Sequence, residues 1–139
     1  MKGIAVTPRI KGMVYDRLDF LGVSPANRGY DYLADLVCEV LNDPNSLHSI
    51  TKVYNELGLA NGSTGFSVER VVRHSIESLF NRMTPDSPIR VYFSYIDPEK
   101  GKCTNKEFIA TVANLVRRDL MEDLEENHEI PGQTKIGEV

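Results

Sequence analysis

The 139-residue sequence predicts one mostly helical domain built around two helices joined by a short turn. Apolar residues recur at i, i+3 and i+4 spacing through most of the chain, which is typical of amphipathic helices. Clusters of glycine, proline and asparagine separate these helical segments. Residues 89–96 have the composition of a strand, but no second strand of comparable strength is available to pair with them.

The first third of the chain predicts an arm and two helices. Residues 1–13 mix glycine and proline without a sustained period, which predicts a flexible N-terminal arm. A short helix is predicted over 14–21 and a stronger one over 27–41. The stop signals of these two helices are Gly22 and the segment Asn42-Asp43-Pro44-Asn45.

The middle of the chain predicts a helix-turn-helix. One helix is expected over 46–59, with glycines after it, and a second over 64–83, with Thr64 as its N-cap. The apolar residues of the second helix share one face, which must be buried. The opposite face offers polar side chains from the first turns, as reading bases in the major groove requires. On periodicity alone, an ordinary helix with a solvated face remains the alternative. The polar side chains are Ser67, Arg70, His74 and Asn81.

The last third predicts a short strand, a helix and a tail. Period alone predicts a strand over 89–96. Thr104 and Glu107 match the Ser/Thr-x-x-Glu capping box, which predicts the start of a long helix there. The domain is therefore predicted to span 14–127, and 128–139 is predicted to be a disordered tail.

Charge and composition permit a DNA-binding protein without requiring one. The net charge of −4 lies mostly at the end of the chain, because residues 121–139 carry −5 and residues 1–120 carry +1. A body that is nearly neutral can bind DNA if its positive groups lie on one side. No apolar run approaches the length of a membrane span, and the start lacks a secretory signal, so we expect a soluble, cytoplasmic protein.

The sequence contains no motif that predicts an enzyme. It has no glycine-rich phosphate loop, no Gly-x-Ser-x-Gly elbow and no His-Glu-x-x-His, and its three histidines are scattered. Neither cysteine has a neighbour at metal-ligand spacing. We expect Cys38 to be a small core residue and Cys103 to be exposed. No catalytic activity, cofactor or metal is therefore predicted.

Several short blocks recur in the order and nearly the spacing of a known family. They are Leu21-Gly22-Val23, Gly29-Tyr30-Asp31-Tyr32-Leu33, Ser49-Ile50-Thr51-Lys52-Val53, Val68-Glu69-Arg70, Arg73-His74 and Thr104-Asn105-Lys106-Glu107-Phe108-Ile109-Ala110. Over roughly residues 14–120, the chain resembles the C-terminal DNA-binding effector domain of the sporulation initiation regulator, stage zero sporulation protein A. The resemblance implies an all-α domain of about six helices around a helix-turn-helix, without a wing. It therefore overrides the strand prediction at 89–96.

The resemblance also implies which residues contact DNA. The family's base-contacting glutamate and the following arginine match Glu69 and Arg70. Such an arginine donates to guanine O6 and N7, and such a glutamate accepts from cytosine N4. The family's arginine two residues before the glutamate is replaced by Ser67, a weaker reader, so an altered or relaxed target is expected. Charge and position add three candidate phosphate contacts, which are Lys52, Arg73 and His74.

Two of these residues also have a purely structural interpretation. Glu69 and Arg73 lie four residues apart in the order that stabilises a helix by about 0.2 to 0.5 kcal/mol.

Two further departures from the family affect the helix before the turn and the start of the chain. The segment 56–62 is about one residue shorter and carries two glycines, which predicts a short or frayed helix. Only about 13 residues precede the domain, so we expect no receiver domain and no switching by aspartyl phosphate.

Two hypotheses follow. The first is a sequence-specific DNA-binding transcriptional regulator whose partner is double-stranded DNA. The second is an interaction module that has lost DNA binding and pairs with a full-length regulator or with RNA polymerase sigma factor. Ser67 and the glycine-rich turn favour the second hypothesis, and Glu69 with Arg70 favours the first. The resemblance also implies contact with sigma factor and tandem homodimers on DNA.

Overall fold

The computed structural model describes residues 2–94 and 101–133, with side chains described up to residue 126. Within these ranges the backbone forms six α-helices and one 3-10 turn and contains no strand. The predicted all-α domain around a helix-turn-helix is therefore confirmed. The helices are α1 (Pro8–Leu21), α2 (Tyr30–Asn42), α3 (Ile50–Ala60), α4 (Gly65–Asn81), α5 (Pro88–Tyr92) and α6 (Asn105–Gln133), and the 3-10 turn is Pro44–Leu47.

Helix α1 begins at Pro8, so residues 8–13 are helical where an arm was predicted. The side chain of Thr7 accepts a hydrogen bond from a backbone N–H of the first turn at 3.2 Å, and proline in the first helical position has a suitable backbone torsion. These two start signals outweigh the weak apolar period. The residues before α1 also contact the body, because Ile4 N donates to Leu41 O at 2.8 Å.

Helix α2 begins at Tyr30, later than the predicted start at Asn27. The side chain of Asn27 accepts a hydrogen bond from Gly29 N at 2.9 Å, and this contact holds the chain in a turn instead of a first helical turn. The apolar face of α2 is buried as predicted, including Leu33 and Val37 at 0% exposure.

The segment predicted to begin the next helix at Ser46 is part of the 3-10 turn. The side chain of Asp43 accepts a hydrogen bond from Asn45 N at 3.1 Å, and Pro44 occupies the start of the turn. A 3-10 turn is a common way to connect two helices that change direction. Helix α3 therefore starts only at Ile50.

The strand that period alone predicts over 89–96 is wrong, because the chain forms helix α5 there. Pro88 occupies the start of that helix. Phe93, just after its end, is buried and stacks on Phe108 of α6 with 5.4 Å between ring centroids. These tertiary contacts outweigh the β-propensity of the segment. The last two residues of the predicted strand, 95–96, lie outside the described residues.

The capping box that predicts the start of α6 is confirmed. Thr104 N donates to Glu107 Oε1 at 2.8 Å, and Glu107 N donates to Thr104 Oγ1 at 3.1 Å. Helix α6 continues to Gln133, past the predicted boundary at residue 127. The rest of the predicted tail, 134–139, lies outside the described residues.

Helix α6 packs against three other helices, α1, α2 and α4. Phe108 and Val112 on its inner face are fully buried at 0% exposure. Arg17 of α1 forms two hydrogen bonds to Asp119 of α6, both at 2.7 Å. These contacts connect α1 to α6, and α3 and α4 pack mainly against each other. In the part of the chain that the structure describes, no helix is long and apolar enough to span a bilayer.

Candidate nucleic-acid interface

Helices α3 and α4 pack closely because two glycines lie where they meet. Gly58 is buried, and a Cβ atom on it would lie 2.6 Å from Thr64 O and 2.8 Å from Gly65 N. A Cβ atom on Gly65 would lie 2.9 Å from Asn55 Cα. Helix α3 continues past Gly58 to Ala60, so it does not fray at this glycine, and it is shorter than predicted only at its start. Gly58 and Gly65 thus permit the close approach of the two helices.

The start of α4 is fixed by a side-chain cap. Thr64 has an extended backbone, and its Oγ1 accepts a hydrogen bond from Ser67 N at 3.1 Å. The predicted N-cap is thus confirmed. The first turn of α4 is therefore anchored both by its cap and by its close contact with α3.

One side of α4 faces solvent, and we call it the outer stripe, defined by Phe66, Ser67, Arg70 and His74. Arg70 and His74 are exposed, Ser67 is partly exposed, and Phe66 is 71% exposed. The opposite side of the helix is buried, as its apolar period predicts. The buried residues are Gly65, Val68, Val72, Ser75, Ile76, Leu79 and Phe80.

A second surface of α4 faces helices α3 and α6, and we call it the inner flank, defined by Glu69 and Arg73. The two side chains form an ion pair, with Arg73 Nε 3.1 Å from Glu69 Oε2, as their spacing predicts. Asn105 Nδ2 donates to Glu69 O at 3.3 Å and to Glu69 Oε2 at 3.4 Å. The same amide donates to Tyr54 Oη at 3.2 Å, and burial raises the pKa of the Tyr54 phenol. Glu69 is therefore held on two sides.

The other predicted phosphate contacts lie apart from the inner flank. Lys52 is exposed on the first turn of α3, and none of the described hydrogen bonds or ion pairs links it to α4. His74 lies beside Asn27 and Arg28, which line a shallow cavity of about 260 Å³ with it. Arg28 is exposed and adds a second cationic group next to the outer stripe.

The outer side of α4 continues to Glu77, two turns after Arg70. The carboxylate of Glu77 accepts a hydrogen bond from Lys102 Nζ, and this contact lowers the pKa of Glu77. Because Lys102 neutralises this carboxylate, the negative charge next to the outer stripe is compensated.

Cys103 is buried at 4% exposure, so the prediction that it is exposed is wrong. Burial raises the pKa of the Cys103 thiol to about 12, so the thiol stays protonated and unreactive at neutral pH. In the described part of the chain, no group of three or more His, Cys, Asp or Glu side chains is arranged to hold a metal ion.

Three residues near this surface are absent from the sequence-based set of site residues. Asn105 and Tyr54 are brought to Glu69 by contacts between distant segments, and no local pattern indicates such contacts. Phe66 had a usable signal, since it lies outside the apolar period of α4, one turn before Arg70. A large apolar side chain on the polar face of a helix that starts a helix-turn-helix surface is a candidate contact residue.

The family model described as Sporulation initiation factor Spo0A C terminal matches residues 2–116 of the 139-residue chain. The match includes helices α1 to α5 and more than the first two turns of α6, and it confirms the resemblance noted from the sequence. The family consists of DNA-binding domains that regulate transcription in sporulation, and it is not a family of enzymes. The fold fits that description, since it is all-helical and exposes the polar face of α4, whose start is capped and packed closely against α3. The chain belongs to this Spo0A C-terminal family.

Proposed function

We propose that this protein is a sequence-specific DNA-binding regulator of transcription that inserts α4 into the major groove. The observation that carries the proposal is the outer stripe, where Arg70 and His74 are exposed on a helix whose start is capped and packed against α3. A helix held on one face and exposing cationic and polar side chains on the other is the geometry of a recognition helix. Membership of a DNA-binding family supports the same function.

In this proposal Arg70 and Glu69 read adjacent base pairs in different ways. Arg70 is exposed, so its guanidinium can donate two hydrogen bonds to guanine O6 and N7. The described contacts of the Glu69 carboxylate all involve Oε2, and Oε1 remains an acceptor for cytosine N4. Ser67 lies beside them on the first turn and contributes little discrimination, because a hydroxyl pairs with several bases.

Cationic side chains around α4 would contact the phosphates. Arg28 lies beside His74 of the outer stripe, and Lys52 is exposed on α3. Arg73 is bound to Glu69 in the free protein, so we expect it to contribute less to phosphate binding than its charge alone suggests. Tandem binding of two copies and contact with sigma factor remain predictions that rest on the family resemblance.

The rival hypothesis, an interaction module without DNA binding, has lost one of its two supports. It relied on Ser67 and on the glycine-rich turn. The turn now has a packing explanation, since Gly58 lies where α3 meets α4. We therefore favour the DNA-binding proposal.

The proposal is tested by selecting duplexes from a random library with the native protein and titrating binding by fluorescence anisotropy at several salt concentrations. We expect affinity for the selected duplex to fall steeply with salt. Arg70→Ala should weaken binding to that duplex by roughly 5- to 150-fold, because a bidentate arginine contact contributes about 1 to 3 kcal/mol. Arg90→Ala is the matched control, since Arg90 is exposed on α5. Failure to select any duplex, or an equal loss in both variants, would overturn the proposal.

A further inference from the structure

Phe66 has an environment unlike that of the other described phenylalanines. Phe80, Phe93 and Phe108 are buried at 8%, 4% and 0% exposure, and Phe20 is 49% exposed with its ring against Tyr92. Phe66 is 71% exposed, and none of the described ring contacts involves it. Covering a large apolar side chain that is exposed to water lowers the free energy, so Phe66 favours a bound partner.

The position of Phe66 narrows the choice of partner. It is in the first turn of α4, four residues before Arg70, so the two side chains lie on the same side of the helix. Helical side chains lean toward the N-terminus of their helix, which directs Phe66 ahead of Arg70. Whatever Arg70 contacts therefore lies next to the aromatic ring.

The charge around Phe66 favours DNA over a protein surface. Arg70 follows it on the outer stripe, and the positive end of the α4 dipole lies at the same turn. The nearest carboxylate, that of Glu69, is paired with Arg73. An exposed apolar group beside an exposed arginine suits a polyanion that carries apolar groups of its own. In the major groove, the only such group on a base is the C5-methyl of thymine, which accepts contact from phenylalanine.

We propose that Phe66 packs against the C5-methyl group of a thymine adjacent to the base pair read by Arg70. This inference rests on the proposed function and adds a base to it. It gives the protein a reader in the first turn, where Ser67 stands in place of the family's arginine. Discrimination at that position would then depend on an apolar contact instead of a bidentate hydrogen bond.

The inference is tested by replacing each thymine of the selected duplex in turn with deoxyuridine, which lacks only the methyl group. At one thymine next to the Arg70-dependent base pair, native protein should lose about fourfold in affinity, from about 0.8 kcal/mol per buried carbon. Phe66→Ala should bind the thymine and deoxyuridine duplexes equally well. Phe66→Leu should keep part of the preference, because it keeps apolar carbon at the site.

Leu59→Ala is the matched control, since Leu59 is an apolar residue with 81% exposure at the end of α3. This variant should keep the full thymine preference of the native protein. The inference is overturned if no thymine shows a preference that disappears with Phe66→Ala, or if Leu59→Ala abolishes it equally. If a duplex is selected and Arg70→Ala weakens binding but no such thymine exists, this inference fails and the proposed function stands. If no duplex is selected, both fail.

Discussion

Glu69 and Arg70 are neighbours in the chain, yet helix α4 turns them into different surroundings. Arg70 projects from the outer stripe into solvent. Glu69 lies about 100° further round the helix, where Arg73 holds its carboxylate at 3.1 Å and Asn105 approaches it from α6 at 3.4 Å. One proposed reader is free before DNA binds, and the other is already held in place.

The difference separates two contributions to recognition. A free arginine loses rotamer freedom when it binds a base, so part of its interaction energy offsets that entropy. A carboxylate that two partners already orient loses less rotamer freedom on binding, and it can contact a base in only one geometry. Arg70 carries a positive charge that attracts the DNA polyanion, so the outer stripe is expected to contribute most of the affinity despite this entropy cost. The inner flank, already oriented, is expected to contribute mainly to specificity.

Gly58→Ala should disturb both surfaces together and have the largest effect. The new Cβ would lie within 2.8 Å of the backbone at the start of α4, so α3 and α4 must move apart. We expect the free energy of unfolding to fall by about 1 to 3 kcal/mol, as for other overpacked sites. Binding to the selected duplex should weaken because both readers shift. Thermal denaturation and the anisotropy titration measure the two effects.

Gly12→Ala is the control for that substitution. Gly12 lies inside α1, and a Cβ atom added to it would meet no neighbouring atom within 4 Å. Alanine should therefore leave stability unchanged or raise it by up to about 1 kcal/mol, because alanine favours a helix interior more than glycine does. Equal stability of the two variants would contradict the packing explanation of the glycine-rich turn.

Glu69→Gln should change specificity more than stability. The amide keeps the shape of the side chain but removes the charge that pairs with Arg73. Discrimination at the base read by Glu69 should fall by about 1 to 3 kcal/mol, while discrimination at the base read by Arg70 should not change. Arg73 is then released, so affinity for random duplexes should rise and the salt slope should steepen by about 0.9.

Glu56→Gln removes the same charge from an exposed position on α3 and is the control. It should leave base discrimination unchanged. If Glu69→Gln and Glu56→Gln behave alike in titrations on duplexes varied at single base pairs, Glu69 is a structural residue only. Unfolding free energy should change by less than about 1 kcal/mol in either variant, because both carboxylates are partly or fully exposed.

Several parts of the fold that depend on contacts within about one helical turn were predicted from the sequence. The caps at Thr64 and Thr104 and the pair of Glu69 with Arg73 are all of this kind. Amphipathic period likewise predicted the buried faces of α2 and α4, because burial follows the helical repeat.

The predictions at 89–96 and at Cys103 failed because distant contacts decide the structure there, whereas the helix starts near Pro8, Tyr30 and Ile50 were missed although their signals are local. Burial of Phe93 against Phe108 makes a helix from a segment of strand-like composition, and Cys103 is covered by packing that no neighbouring residue indicates. The inner flank has the same origin, since Tyr54 and Asn105 reach Glu69 from other helices. Periodicity could place Arg70 and Glu69 at different angles, but it could not supply the partner that holds only one of them.

Glu77→Gln, which breaks the pair of Glu77 with Lys102, should have the smallest effect of these substitutions. It tests whether Lys102 compensates the negative charge beside the outer stripe. The hydrogen bond from Lys102 holds the pKa of Glu77 below its ordinary value of 4.5. A lowered folded-state pKa means that the pair stabilises the protein above pH 4.5, and that this contribution disappears as pH falls through the lowered value. Glu77→Gln should therefore lower Tm by roughly 1 to 3 °C near neutral pH and by less in acid.

Glu56→Gln is the control, because the Glu56 carboxylate makes no described ion pair. It should show no such difference in Tm between neutral and acid pH. A Tm difference for Glu77→Gln that stays constant from about pH 7 to about pH 3 would contradict the pairing, and with it the view that Lys102 compensates the charge beside Arg70.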